Sequence, residues 1–235
     1  AVPSDISVDG TCSASVPDLA ILATATDNCP ATLTITQSPP AGASLDLGVT
    51  TVTLSVTDDN DNSTTCTVDV TVVDDTAPVA VCPPAISVTG DPLSCSAFVN
   101  VIATATDNCG VSEISNDYNA GGSNATGSYA VGTTTVTFTA TDESGNTHTC
   151  SVAVTVTDDE APELTCPASP APLSADASCS AIAPDLAALA IAVDNCTDPL
   201  TITQSPDSGD ALVLGDNPIT LSVSDAAGNS TTCTV

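Results

Sequence analysis

The sequence predicts an all-β chain of three tandem antiparallel β-sandwich domains arranged as a rod. Three observations carry that reading. Apolar residues alternate with a period of two. Turn-forming residues punctuate short β-branched runs. A whole unit, marked by its cysteines, recurs after roughly 84 residues, too long a period for small solenoid repeats.

The strands come first. "TTVTLSVTD" (50–58) puts Val52, Leu54 and Val56 on one face and Thr51, Thr53 and Ser55 on the other. "CTVDVTVVD" (66–74) does the same with Val68, Val70 and Val72. Such runs suit sheets with one buried and one wet face. Between them lies "TDDNDN", which recurs as "TDESGN" (141–146) and "SDAAGN" (224–229) and reads as a tight hairpin turn. "PDLAALAIAVDN" (184–195) has helical composition, but its equivalent "VNVIATATDN" (99–108) is β-branched, so a strand is expected.

The eleven cysteines fall in a four-beat order: Cys-Pro, Cys-Ser-Ala, Asp-Asn-Cys, Thr-Cys. One unit holds Cys82, Cys95, Cys109 and Cys150, and the next holds Cys166, Cys179, Cys196 and Cys233. The first unit holds Cys12, Cys29 and Cys66, with its first beat falling at Val2, so one of its cysteines lacks a partner within the unit. The expected domains are 1–76, 77–160 and 161–235. The outer two break the pattern at their ends, as a window cut from a longer array would.

Composition narrows the function. The 235 residues include no Lys or Arg and 29 acids, for a net charge of -29, yet 42% are hydrophobic. That apolar content separates the chain from disordered acidic tails. Nucleic-acid binding is excluded, because phosphate contacts rest on Lys and Arg. No run approaches the length of a membrane-spanning helix, so direct membrane insertion is not expected. Trypsin-like cleavage has no site and sulfoxide formation has no Met, which suits an exposed protein. An enzyme is not expected: nothing cationic can stabilise a developing anion, and the single His148 stands where the other units have Thr64 and Thr231.

The run "APxxxCP", "ATDNC" and "GTTTVTFTATDESGNTHTC", closed by "VTVTD", resembles the hyalin repeat (HYR) domain, three times over. The resemblance implies an immunoglobulin-like sandwich, an extracellular or cell-surface location and a role in adhesion. It also implies tandem copies in large bacterial surface proteins, among them gliding and attachment adhesins of Bacteroidota. It brings no catalytic residues.

Four cysteines per unit allow three pairings. Cys82–Cys150 and Cys166–Cys233 are favoured, tying first strand to last, with Cys95–Cys109, Cys179–Cys196 and Cys12–Cys29 beside them. The second set requires the intervening chain to fold back, since straight strand would hold the sulfurs far apart. Zinc is not indicated, as no closely paired cysteines occur. Disulfides imply an oxidising compartment.

In an up-and-down sandwich, strand alternation brings three acidic elements to the N-terminal pole of each domain. They are the incoming linker (Asp74 and Asp75; Asp158 and Asp159), the Asp-Asn-Cys loop (Asp107 and Asn108; Asp194 and Asn195) and the last hairpin (Asp142 and Asn146; Asp225 and Asn229). Calcium takes six to eight oxygens in flexible geometry and is the candidate ion for these junctions. The same Asp and Asn residues also suit plain turn capping. Both roles stay open at this level.

Two functions compete. One is a stalk or surface filament of disulfide-stapled repeats, with neighbouring repeats and calcium ions as partners. The other is a calcium-dependent module contacting surface glycans or proteins through polar loops. The insertion "SNDYNAGGSNATGSYAVG" (115–132) holds both tyrosines, Tyr118 and Tyr129, which suit either a binding patch or a core edge.

Overall fold

The computed structural model describes residues 5–29 and 31–235. Val2, the expected first beat of the opening unit, lies outside them. Every long element is a strand, and the only helical pieces among the described residues are 3₁₀ turns at Ala20–Leu22 and Ala187–Leu189. The chain divides into two compact units. One comprises Ala1–Cys82, Ile102–Ala125 and Thr137–Ser151, and the other Pro83–Val101, Thr126–Val136 and Val152–Val235. The division falls inside the middle sequence repeat.

In the first unit, Gly48–Thr57 and Ser63–Val73 form a long antiparallel hairpin with Val52 opposite Val68. Thr34–Ser38 lies on the other side of Gly48–Thr57. Alternation works as read: Val52, Leu54, Val70 and Val72 are buried together with Val8, Val16, Leu19 and Leu45 from the facing elements. On the opposite face Thr51 is exposed and Thr53 half-buried, and Thr51 donates to Asp69 at 2.7 Å. The short strand Ile6–Ser7 runs parallel to Ser63–Val73, pairing Ile6 with Val72. That parallel edge departs from strict up-and-down alternation. Val79–Val81 pairs with Thr104–Thr106, and Val111–Asn116 with the end of Gly132–Asp142.

In the second unit, Ile86–Thr89 pairs in parallel with Val154–Thr157. Ser96–Val99 pairs with Gly127–Ala130, placing Tyr129 opposite Ala97. Thr201–Ser205, Thr220–Ser224 and Ser230–Thr234 form an antiparallel sheet. Its core holds Ala183, Leu186, Leu212, Ile219 and Leu221.

The segment 184–195 differs from the expected strand. It makes the 3₁₀ turn Ala187–Leu189 before the strand Ile191–Val193. One side chain explains the turn. The Gln204 Oε1 accepts from Leu186 N at 2.8 Å and Ala187 N at 3.1 Å, and its Nε2 donates to Pro184 O and Pro206 O at 3.0 and 3.1 Å. Gln37 does the same in the first unit for Leu19, Ala20, Pro17 and Pro39. Backbone groups that a sheet would have paired are satisfied by this amide.

The hairpin turns agree with the sequence reading. Asp142 N donates to Asn146 O and Asp225 N to Asn229 O, with Gly145 and Gly228 at positive φ. In the 115–132 insertion, Tyr129 is 1% exposed and belongs to the core. The turn before it is held by Asn116, whose Nδ2 donates to Gly122 O and whose Oδ1 accepts from Tyr118 N and Asn119 N.

Four disulfides are present. Cys82 pairs with Cys150 and Cys166 with Cys233. The other expected pairs, Cys95–Cys109, Cys179–Cys196 and Cys12–Cys29, do not form. Cys12 instead pairs with Cys109 and Cys95 with Cys196, each at a Cα separation of 4.8 Å. The fold-back that Cys95–Cys109 needed is missing: the chain between them runs through Ser96–Val99 and Thr104–Thr106 without a hairpin. Cys29, Cys66 and Cys179 remain free and exposed.

Candidate metal centre

Among the described residues, each unit carries one acidic triad. In the first, Asp74, Asp107 and Asp142 each bring a carboxylate oxygen within 4.8 Å of the others. The second has the same arrangement in Asp158, Asp194 and Asp225. The linker, the Asp-Asn-Cys loop and the last hairpin each contribute one residue.

Local turns aim these side chains. Asp107 Oδ1 accepts from Cys109 N at 2.8 Å and Gly110 N at 3.0 Å, and Asp194 Oδ1 from Cys196 N and Thr197 N at 2.9 and 2.6 Å. Asp142 Oδ1 accepts from Ser144 N and Asn146 N, both at 2.8 Å, and Asp225 Oδ1 from Gly228 N and Asn229 N at 2.7 and 2.8 Å. Asp74 Oδ1 accepts from Thr76 N at 3.1 Å, and Asp158 Oδ1 from Glu160 N at 3.3 Å.

Asn146 and Asn229 act as clamps. Asn146 Nδ2 donates to Asp142 Oδ2 at 2.8 Å and to Asp74 O at 3.0 Å. Asn229 Nδ2 donates to Asp225 Oδ2 at 2.8 Å and to Asp158 O at 3.2 Å. Asn108 Nδ2 donates to Asp9 O at 3.0 Å, and Asn195 Nδ2 to Ser94 O at 3.3 Å.

What remains is a set of oxygens without hydrogen-bond partners. Asp74 Oδ2, Asp107 Oδ2 and Asn108 Oδ1 are buried and unpaired in the first unit, and Asp194 Oδ2 and Asn195 Oδ1 in the second. Asp74 is 7% exposed, Asp142 2% and Asp225 8%. Buried, unpaired carboxylate oxygen is costly unless a cation meets it.

The electrostatics differ within a triad. Burial pushes the Asp142 carboxyl up, but the Asn146 amide and the backbone N–H groups of Asn146, Ser144 and Gly145 outweigh it and hold it below its ordinary range. Asp225 is lowered by the same balance around Asn229. Asp158 is raised, first by burial and then by the charges of Asp194, Asp225 and Asp159, against a single N–H from Glu160.

Asp75 and Asp159 stand outside the triads. Asp75 is exposed and accepts from Ser7 Oγ at 2.8 Å, and Asp159 faces solvent. His148 is exposed, with its Nδ1 accepting from Ala80 N at 3.1 Å. The sequence reading missed Gln37 and Gln204. Their signal was a polar residue on the inward-facing phase of "TITQS", in step with Ile35 and Ile202.

No curated protein matches the sequence. Among solved structures, the protocadherin gamma B7 extracellular cadherin domains 1–4 align at 15% identity and TM-score 0.35, covering 89% of this chain and 64% of that one. Human CDH23 EC21–23 aligns at 16% identity and TM-score 0.37, covering 80% and 73%. The fibronectin(III)-like modules of Clostridium thermocellum CbhA align at 12% identity and TM-score 0.29, covering 66% and 90%. The chain spans under two thirds of that protocadherin chain. The HYR domain matches residues 10–72 and again 73–156, more than half of the sequence. The chain is all-β, and it belongs to the HYR domain family.

Proposed function

We propose that this chain is a calcium-stiffened stalk segment of an extracellular adhesion protein, built of three tandem units at 1–76, 77–160 and 161–235. The observation that carries the reading is the repeated triad with its buried, unpartnered oxygens. The donors are all oxygen and the charge is negative, which matches a hard cation taking carboxylates and amide carbonyls. No Lys or Arg exists to compete for them, so the counter-charge must come from solution. Asp74, Asp107 and Asp142, and likewise Asp158, Asp194 and Asp225, would hold the ion, with the Asn108 and Asn195 side-chain oxygens beside them. Bound calcium would neutralise the clustered carboxylates and fix the linker against the loop and the hairpin. Projection of a binding tip by a filament of such repeats is the biological role this supports. Like charge along the repeats resists clumping.

Burial of Tyr129 weighs against the loop-binding alternative, because it removes one of the two tyrosines a stacking patch would need.

The test is calcium titration of the full chain by calorimetry, with melting followed in calcium and in chelator. Binding near two ions per chain and a higher melting temperature are expected. The stoichiometry should fall to about one ion in D107N or D194N, with a smaller calcium-induced rise in melting temperature, and both binding and that rise should vanish in the double variant. A melting temperature indifferent to calcium, with no binding heat, overturns the calcium reading.

A further inference from the structure

The free cysteines are not equivalent to one another, and their counterparts show what each is for. Two disulfides follow one rule: the second-beat cysteine of one sequence repeat joins the third-beat cysteine of the next. Cys12 joins Cys109, and Cys95 joins Cys196. Cys179 occupies the second-beat position with no mate, and Cys29 occupies the third-beat position with no mate.

Cys179 has the backbone of the bonded Cys12, and Cys29 that of the bonded Cys109 and Cys196, while the bonded Cys95 follows a turn whose left-handed residue is Leu93. Cys12 sits in a turn where Asp9 N donates to Ser13 O at 2.8 Å and Cys12 N to Asp9 O at 3.1 Å, with φ of 56° at Cys12. Cys179 sits in the same turn: Asp176 N to Ser180 O at 2.7 Å, Cys179 N to Asp176 O at 3.1 Å, and φ of 59°. The Asp9 and Asp176 carboxylates brace the two turns alike, from Thr11 N and Ser178 N at 2.8 Å. On the other side, Cys29 N donates to Asp27 Oδ1 as Cys109 N does to Asp107 Oδ1 and Cys196 N to Asp194 Oδ1. A left-handed backbone at a cysteine is uncommon. Its reuse at Cys179, without the bond, shows that the turn does not depend on the bond.

We propose that Cys179 and Cys29 are the two complementary halves of a repeat-to-repeat disulfide. Cys179 takes the Asp-Asn-Cys loop of a further repeat of this type, and Cys29 takes the Asp-turn cysteine of another. This rests on the tandem-repeat part of the reading above and not on calcium. Cys66 is of a different kind, since its counterparts Cys150 and Cys233 bond to the Cys-Pro positions Cys82 and Cys166. The bond removes two protons and two electrons from two thiols. A small-molecule disulfide such as oxidised glutathione accepts them: one thiolate displaces glutathione from the mixed disulfide on its partner, and two molecules of reduced glutathione leave. Each link closes a covalent ladder in which every repeat is tied to its neighbour twice, once by the backbone and once by sulfur.

A second copy of the chain supplies the probe. C29S/C66S chains retain Cys179, and C66S/C179S chains retain Cys29. Incubated together with oxidised glutathione at high concentration, they are expected to give a product of twice the 23.0 kDa chain mass on non-reducing gels. Peptide mapping should locate its bond at Cys179–Cys29. Each variant alone should give at least tenfold less dimer. The proposal is overturned if the mixture gives no more dimer than the separate chains. It is equally overturned if C29S/C66S alone dimerises through Cys179–Cys179 as readily. Repeating the mixture in chelator separates it from the calcium reading: a ladder that forms without calcium leaves this inference standing even where that reading fails.

Discussion

Asn146 Nδ2 donates to Asp74 O across 72 positions of sequence, at 3.0 Å, while donating to its own turn's Asp142 Oδ2 at 2.8 Å. One amide therefore fixes the linker backbone to the hairpin and orients one of the three carboxylates in the triad, that of Asp142. Asn229 repeats the arrangement with Asp158 O and Asp225 Oδ2.

N146A is expected to cost about 1–3 kcal/mol, since it removes a hydrogen bond to a charged acceptor and leaves a part-buried carbonyl unpaired. The melting temperature should fall by several degrees, and calcium affinity at the first triad should weaken more than at the second. Differential scanning calorimetry of N146A beside N229A reads both effects.

The triads also set a pH dependence in chelator. Asp142 and Asp225 have folded pKa values held below the ordinary carboxylate value. The stability they contribute is present above that value and is lost as pH falls through their folded pKa. Asp158 has the opposite sign: its raised folded pKa means the native state binds the proton more tightly, so stability is lost as pH rises through it. Acidification from neutral should first relieve Asp158 and then, at lower pH, undo Asp142 and Asp225. D158N should melt higher than the parent at pH 7 without calcium and lose the first limb of the profile, whereas D142N should melt lower.

Q204A removes an amide that satisfies four backbone groups around the Ala187–Leu189 turn. A loss of about 2–4 kcal/mol is expected, from several unpaired part-buried groups at once. Hydrogen exchange at Leu186 and Ala187 should accelerate in Q204A, with Leu19 and Ala20 unaffected.

Much of this architecture is local and so legible in sequence. Val52, Leu54, Val70 and Val72 announce their inward face by alternation alone, because strand side chains alternate sides. The hairpins at Asp142 and Asp225 follow from Asp and Gly-Asn chemistry within the turn itself. The convergence of Asp74, Asp107 and Asp142 could be anticipated from strand order, though not which linker acid takes part: Asp74 turns inward and Asp75 outward, as successive residues of an extended chain do. The 3₁₀ turns were hidden because Gln37 and Gln204 act from 18 residues away.

The sequence by itself determined the all-β class, the repeat, and the fact that any counter-charge must be imported, because these depend on residue types and their periodicity. Only the tertiary structure decided which sulfurs meet. A disulfide needs two Cα atoms within about 7 Å, and that proximity is set by how distant strands and loops pack. Cys12 therefore bonds Cys109, 97 residues away, while the nearer Cys29 stays free.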